Sequence, residues 1–464
     1  MMRAKFFART ALGLTLAMGV ATGTVSPAWA KDKPKDAAKE APKLAPSKAY
    51  VPAYQAAKTA MDAAGKRQDV IAARQVATDA LNAVKAAQGK TAKAAAQAKY
   101  DAAAAAIMPL LATEKAAVDK STATATNADD KFLAGQLELS LGLLAMDPRI
   151  QRVGIQHQVD SGKLGVADKP KFLMAIGNLS VDLKEYPAAR TAYQAASDAG
   201  APPSEALINL ADAFIKDGQT PAGLKVLQDA VVKTGPGAPE GWMKYGVASA
   251  YRGKLPNEAA MFANELVAMY PTKENWSLAV AVVRDLNGYQ GHDQIALLRL
   301  MQRTGSFSEE RDYVEYIQAL SKRGLPGEAL KIIDQGVAAG LLKANDQFVM
   351  DARKEATGRV ASDRNSLPAQ DREAHAAAAS AATITAAADT FLSYDQPAKA
   401  EELYMLALAK PGVETARVNL QMGIAQADQG KYAEAQASFA KVNDTRAPIA
   451  QLWSSYAKAK AAGK

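Results

Sequence analysis

Cysteine is absent from the 464-residue chain, which excludes a disulfide framework and leaves no thiol to carry a lipid. Its absence fits an oxidising compartment. Histidine is scarce: His157, His292 and His375 stand far apart and offer no metal-ligand spacing. Aromatic residues make up 6% of the chain, little for one large globular core. Past the first thirty residues there is no uncharged apolar run that could span a bilayer; the nearest, 102–111, is weakly hydrophobic and interrupted by Pro109. Positive charge is also modest. The net charge of +8 falls to +5 (8 − 3) once Arg3, Lys5 and Arg9 are set aside, and no arginine cluster is interleaved with aromatics. That balance excludes a nucleic-acid partner.

Catalytic signatures are missing as well. No His-Glu-x-x-His helix, nucleophile elbow, phosphate-cradling glycine loop or calcium-loop spacing occurs. Ser455-Tyr456-Ala457-Lys458 and Lys233-Thr234-Gly235 imitate two elements of penicillin-recognising enzymes, but in reversed order and without the strand that the second requires. They are read as coincidence. The adjacent acids Glu309-Glu310 and Glu401-Glu402 are read as solvated helix faces. No catalytic residue, metal ligand or cofactor site is assigned.

What is abundant is alanine, the strongest helix former, and it leans the chain to all-α. The first thirty residues are a separate object: Arg3, Lys5 and Arg9, a short apolar run over 11–20, then small residues at Ala28 and Ala30. This is the layout of a cleaved signal peptide over 1–30, and it places the mature protein in the periplasm or outside the cell. Residues 31–48 mix Lys, Ala and Pro around a single large apolar residue, Leu44, and are expected to be a disordered basic linker. Residues 49–168 form an Ala-rich helical region with degenerate helical hairpins. Val70, Ala73, Val76, Ala77, Leu81 and Val84 fall at helical spacings, and a hairpin is expected around Pro148.

From 169 onward the chain repeats itself. Gly177 to Ala211, Ala196 to Ala230 and Trp242 to Trp276 are steps of 34 residues; Ala400 to Ala435, Tyr404 to Phe439 and Ala407 to Val442 are steps of 35. Within each period a small residue precedes a large one by four positions, as in Ala189/Tyr193, Gly223/Leu227, Ala329/Ile333, Ala400/Tyr404 and Ala435/Phe439. Residues four apart share one helix face, so the small one admits a neighbouring helix and the large one fills the space beside it. The period and this pattern resemble the tetratricopeptide repeat family, here as an exported bacterial member. Repeats are expected near 170–203, 204–237, 239–272, 273–306, 310–343, 381–415 and 416–449. The third departs, with Ala259 followed by Ala263, and the fourth has a long turn over 286–294. The repeats occupy 169–355 and 381–449, with an interruption or divergent helix at 356–380 and a capping helix at 450–464 carrying Leu452, Trp453 and Tyr456. Trp242, Trp276 and Tyr313 open first helices and are expected in the core.

The resemblance implies a right-handed α-solenoid that presents a concave groove to another protein or peptide. Some tetratricopeptide domains grip a peptide carboxylate with Lys and Asn on their first helices. Asn178, Asn209 and Lys244 stand at three matching positions, whereas Met174 and Glu240 replace lysines of that clamp. The expected function is a non-enzymatic scaffold in the cell envelope. The alternatives are a structural protein that contacts the cell wall through its basic linker, and an enzyme whose site lies outside the repeats.

Overall fold

The computed structural model describes residues 44–463. The leader 1–30 and most of the linker lie outside the described residues. Among those described there is no strand, and no helix is long and apolar enough to cross a membrane. Two compact units divide inside the helix Pro203–Lys216, after Ala213.

The first unit is built on the hairpin Ala128–Ala145 and Pro148–Asp160. Asn127 accepts from the Asp130 N–H at 2.8 Å to start it, and Met146 at φ 55 ends its first helix. Glycines then let the two backbones touch: a Cβ at Gly154 would lie 2.4 Å from the Leu139 nitrogen, and one at Gly142 equally close to the Gln151 nitrogen. The preceding helices, Val51–Ala64 and Ala112–Thr124, pack against each other and against Ala128–Ala145. The Ala-rich hairpin Gln68–Ala86 and Lys90–Ala105 is largely exposed, with only Val70 and Ala77 buried along it.

The expected disorder over 31–48 fails at its C-terminal end. Leu44 packs against Tyr50 and Leu133, and Ser47 donates from both its N–H and its hydroxyl to buried Asp130, each at 2.8 Å. Burial works against the Asp130 carboxylate, yet the hydrogen bonds from Ser47, Thr126 and Asn127 outweigh it and hold its pKa below the ordinary value.

The repeat hairpins follow one local recipe. A residue at positive φ stops each first helix: Lys184, Gly218, Lys254, Gly288, Gly324, Asp395 and Gly430. A proline in the first two positions then starts the second helix in Tyr186–Asp198, Thr220–Thr234, Pro256–Met269, Pro326–Ala338 and Pro397–Leu408. Inside the hairpin, the large residue of the second helix lies on a glycine of the first. A Cβ at Gly177 would come within 2.3 Å of the Tyr193 ring, one at Gly246 within 2.5 Å of Phe262, and one at Gly423 within 2.4 Å of Phe439. Phe262 resolves the irregular third repeat, because the ring stands three residues after Ala259, and both are fully buried. Trp242, Trp276 and Tyr313 are buried.

In the second unit successive helices pack as neighbours from Thr220–Thr234 to Ala447–Ala461. Of the two alternatives for 356–380, an interruption or a divergent helix, the helix is found: residues 356–374 complete one 28-residue helix, Gln347–Ala374, with Pro368 inside it. It packs between Pro326–Ala338 and Ala381–Ser393. The last helix begins at Ala447 and does more than cap the final repeat. Trp453 stacks on Phe439 at 6.2 Å, yet the same helix also packs on Pro256–Met269 and His292–Thr304. This return makes two helices central. His292–Thr304 is buried continuously from Ile295 to Met301, and Thr415–Asp428 from Val418 to Ala427.

Candidate functional site

The three residues expected to line a peptide groove are already engaged locally. Asn178, in the first unit, is exposed, and its Oδ1 accepts from the Tyr193 hydroxyl at 2.8 Å. The Asn209 amide, in the same unit, donates to the carbonyl of Glu205 one turn back, at 2.7 Å. Lys244, in the second unit, pairs with Glu240 at 2.8 Å. The hydrogen bond from Lys244, with another from Asn275 at 2.8 Å, holds the Glu240 carboxyl below its ordinary pKa. Each residue is thus bonded within its own helix or to a neighbouring one, not to another of the three.

Polar chemistry is densest in the second unit, where the two central helices meet. Arg299, 3% exposed, makes a bidentate pair with Glu328 at 2.9 and 2.7 Å and donates to Gln421 at 3.1 Å. Tyr316 donates to the same carboxylate at 2.5 Å. One turn on, Arg303 grips Asp428 at 3.0 and 2.7 Å. At the other end of the helix Asp389 accepts from Tyr404 at 2.6 Å and from Arg417, and His292 lies 3.5 Å from it. Burial opposes the charge on Arg299, but the Glu328 carboxylate more than offsets it and raises the guanidinium pKa; Glu328 is lowered in turn. His292 goes the other way. Burial pushes its pKa down to about 4, Asp389 partly resists, and Arg417, Arg323 and Arg299 add to the drop.

The network extends to the C-terminus. Arg446 donates to Asp293 at 2.9 Å, the Tyr289 hydroxyl to the Thr445 carbonyl at 2.5 Å, the Trp453 indole to the Ala296 carbonyl at 3.0 Å, and Ser455 to Asn264 at 2.7 Å. Ser455 therefore spends its hydroxyl on a structural bond, and Lys233-Thr234 belongs to a helix. Among the described residues no three His, Asp or Glu side chains gather as a metal site. The reading of Glu401-Glu402 as a solvated pair fails for Glu401. It is 8% exposed and accepts from Gln426 at 2.9 Å, Gln429 at 2.8 Å and Lys431 at 2.6 Å. Sequence reasoning missed Arg299 and Arg303 too. The available signal was Arg299 standing alone among apolar residues in the run from Ile295 to Met301.

Beside this network a cleft of about 350 Å³ opens between the turn before His292–Thr304 and the helix Glu310–Arg323. It is lined by Gln290, Gly291, Gln294, Glu315, Gln318 and Lys322, with Ala319 and Arg323 completing the wall.

Residues 174–239 and 208–274 match the tetratricopeptide repeat family model. The match covers the Gly177/Tyr193 and Gly246/Phe262 pairings. No curated protein matches the chain. Among solved structures, a monomeric IFIT1 mutant with m7Gppp-AAAA is 12% identical with a TM-score of 0.21, covering 78% of this chain and 72% of that one. The APC/C hetero-tetramer Cut9-Hcn1 is 12% identical with a TM-score of 0.17, covering 86% and 90%. Superpositions that poor carry no argument about ligand or partner.

Proposed function

Because the chain carries tetratricopeptide repeats over 174–274, we propose that it is a non-enzymatic scaffold, exported by the leader 1–30, that holds another protein or peptide on its helical hairpins. The observation that carries this reading is the division of labour within each matched hairpin. Small and aromatic residues are consumed in helix–helix packing, as with Gly177 under Tyr193, while the first helix keeps amide and charged side chains at its surface. Asn178 and Asn209 retain hydrogen-bonding capacity that suits an extended backbone in both directions. Lys244 can exchange Glu240 for an acidic group of a partner.

Site-specific photocrosslinking in cells tests this. A crosslinker at Asn178 or Lys244 is expected to yield one reproducible adduct whose partner is identified by mass spectrometry, and replacing Asn178, Asn209 and Lys244 together by Ala should weaken its capture. Such surface changes leave stability within about 0.5 kcal/mol. Capture unchanged by the triple variant would move the partner site elsewhere on the chain. N-terminal sequencing of exported protein should begin at Lys31. The basic composition of 31–43 supports a second reading, attachment to acidic cell-wall polymer; co-sedimentation with purified wall material distinguishes it.

A further inference from the structure

We infer that the cleft between the turn at Gln290 and the helix Glu310–Arg323 binds an acidic segment of a partner polypeptide. This rests on the scaffold reading and assigns it a second contact with a defined chemistry.

The first support is an imbalance of charge. Acids near the cleft are already committed: Glu315 pairs with Arg284 at 2.7 Å and with Arg311 at 2.8 Å, Asp293 with Arg446 at 2.9 Å, and Asp389 with Arg417. The cations of the cleft wall are not. Among the described residues neither Lys322 nor Arg323 has an acid partner, and both are exposed. The field of Arg323 reaches inward, since it is among the groups that lower the His292 pKa.

The second support is built geometry at Gly291. This residue has φ +61, and a Cβ there would lie 2.2 Å from the Arg323 guanidinium. Glycine is favoured here by the backbone, and the mobile end of the Arg323 side chain lies over it. The third is a set of three glutamines, Gln290, Gln294 and Gln318, none of whose side chains hydrogen-bonds among the described residues. Each amide can donate and accept, which matches a peptide backbone, while Lys322 and Arg323 match carboxylates through charge-assisted bonds.

Alternatives fit less well. Two cations beside Glu315 are too few to follow a phosphate backbone, whose binding depends on neutralising several successive charges. The chain's own 31–43 stretch has five lysines and three acids, the wrong sign for this wall.

The test uses the full-length mature protein and a labelled decapeptide of alternating Glu and Ala, followed by fluorescence anisotropy. The isosteric Gln/Ala peptide and a single-stranded RNA decamer serve as comparisons. The Glu/Ala peptide should bind at least tenfold more tightly than either, with affinity falling as salt rises. The double variant Lys322→Glu, Arg323→Glu should abolish that preference while helix content stays unchanged and melting falls only slightly, through two acids in the last turn of Glu310–Arg323. Equal binding of the acidic and neutral peptides, tighter binding of the RNA, or an acidic preference that survives charge reversal would each overturn the assignment. Crosslinking at Asn178 and Lys244 reports separately on the scaffold. A partner captured there while the acidic peptide ignores the cleft leaves the scaffold reading intact and removes only this site.

Discussion

A glycine on the first helix and a ring on the second fix how close the two helices of a repeat come. Gly177, Gly246 and Gly423 each precede their ring by sixteen residues, so the pairing is a constant of the hairpin and not an accident of one site. The pattern visible along the sequence is a different one, small-then-large within the second helix. It was legible because both residues lie on one helix, four apart. The glycine partner was harder to see, because only folding brings positions sixteen apart together. The two patterns meet at Ala435 and Phe439, both buried, with Gly423 beneath the ring. Ala435→Leu should therefore destabilise this hairpin by about 1–3 kcal/mol, the usual cost of overpacking a tight contact. Ala433 is exposed and should accept leucine with little change. Thermal melts of the two variants check this; equal midpoints would mean that the face of Tyr432–Phe439 is wrongly assigned.

Helix existence was written plainly in the sequence; the surroundings of each helix were not. Amphipathic period marks which face is apolar, but His292–Thr304 has arginines where its neighbours are apolar, and these are buried by helices more than a hundred residues later. Arg299 and Arg303 could therefore be recognised as unusual, though not matched to Gln421 or Asp428. His292 gives this element a pH signature. Its pKa is about 4 in the folded protein against an ordinary 6.5, so between those values the unfolded chain holds a proton that the native chain does not. Stability from this group is complete above 6.5 and is lost progressively as the pH falls toward 4. Asp389 faces the ring as the counter-charge, and Arg417, Arg323 and Arg299 oppose protonation from the surrounding helices. Denaturant titrations across this window should show wild-type stability falling more steeply than that of His292→Gln. Parallel curves would mean that the ring titrates as it would in water.

Each unit has its own reason to be compact. In the first, glycine-mediated contact between Ala128–Ala145 and Pro148–Asp160 compensates for Ala-rich helices that bury little else. In the second, the chain's own C-terminus seals the stack. The expectation of a final helix that merely covers the last repeat rests on Leu452, Trp453 and Tyr456 standing together after it. Period alone could not reveal that the helix Ala447–Ala461 turns back onto repeats before residue 306. That return covers one side of Pro256–Met269 and His292–Thr304 with the helix Ala447–Ala461. Trp453 is completely buried between Phe439 and the Ala296 carbonyl, so Trp453→Ala removes both a packed ring and the partner of a backbone acceptor. The cost should be about 3–5 kcal/mol, as for other large-to-Ala changes in a core. It should also be local. Hydrogen exchange is expected to accelerate in His292–Thr304 and Pro256–Met269, which lose their cover, while amides of Ala128–Ala145 in the first unit keep their protection. If exchange rises only in Tyr432–Phe439 and the helices at 256–304 are unaffected, the last helix is a cap on its own repeat and the second unit is an open stack.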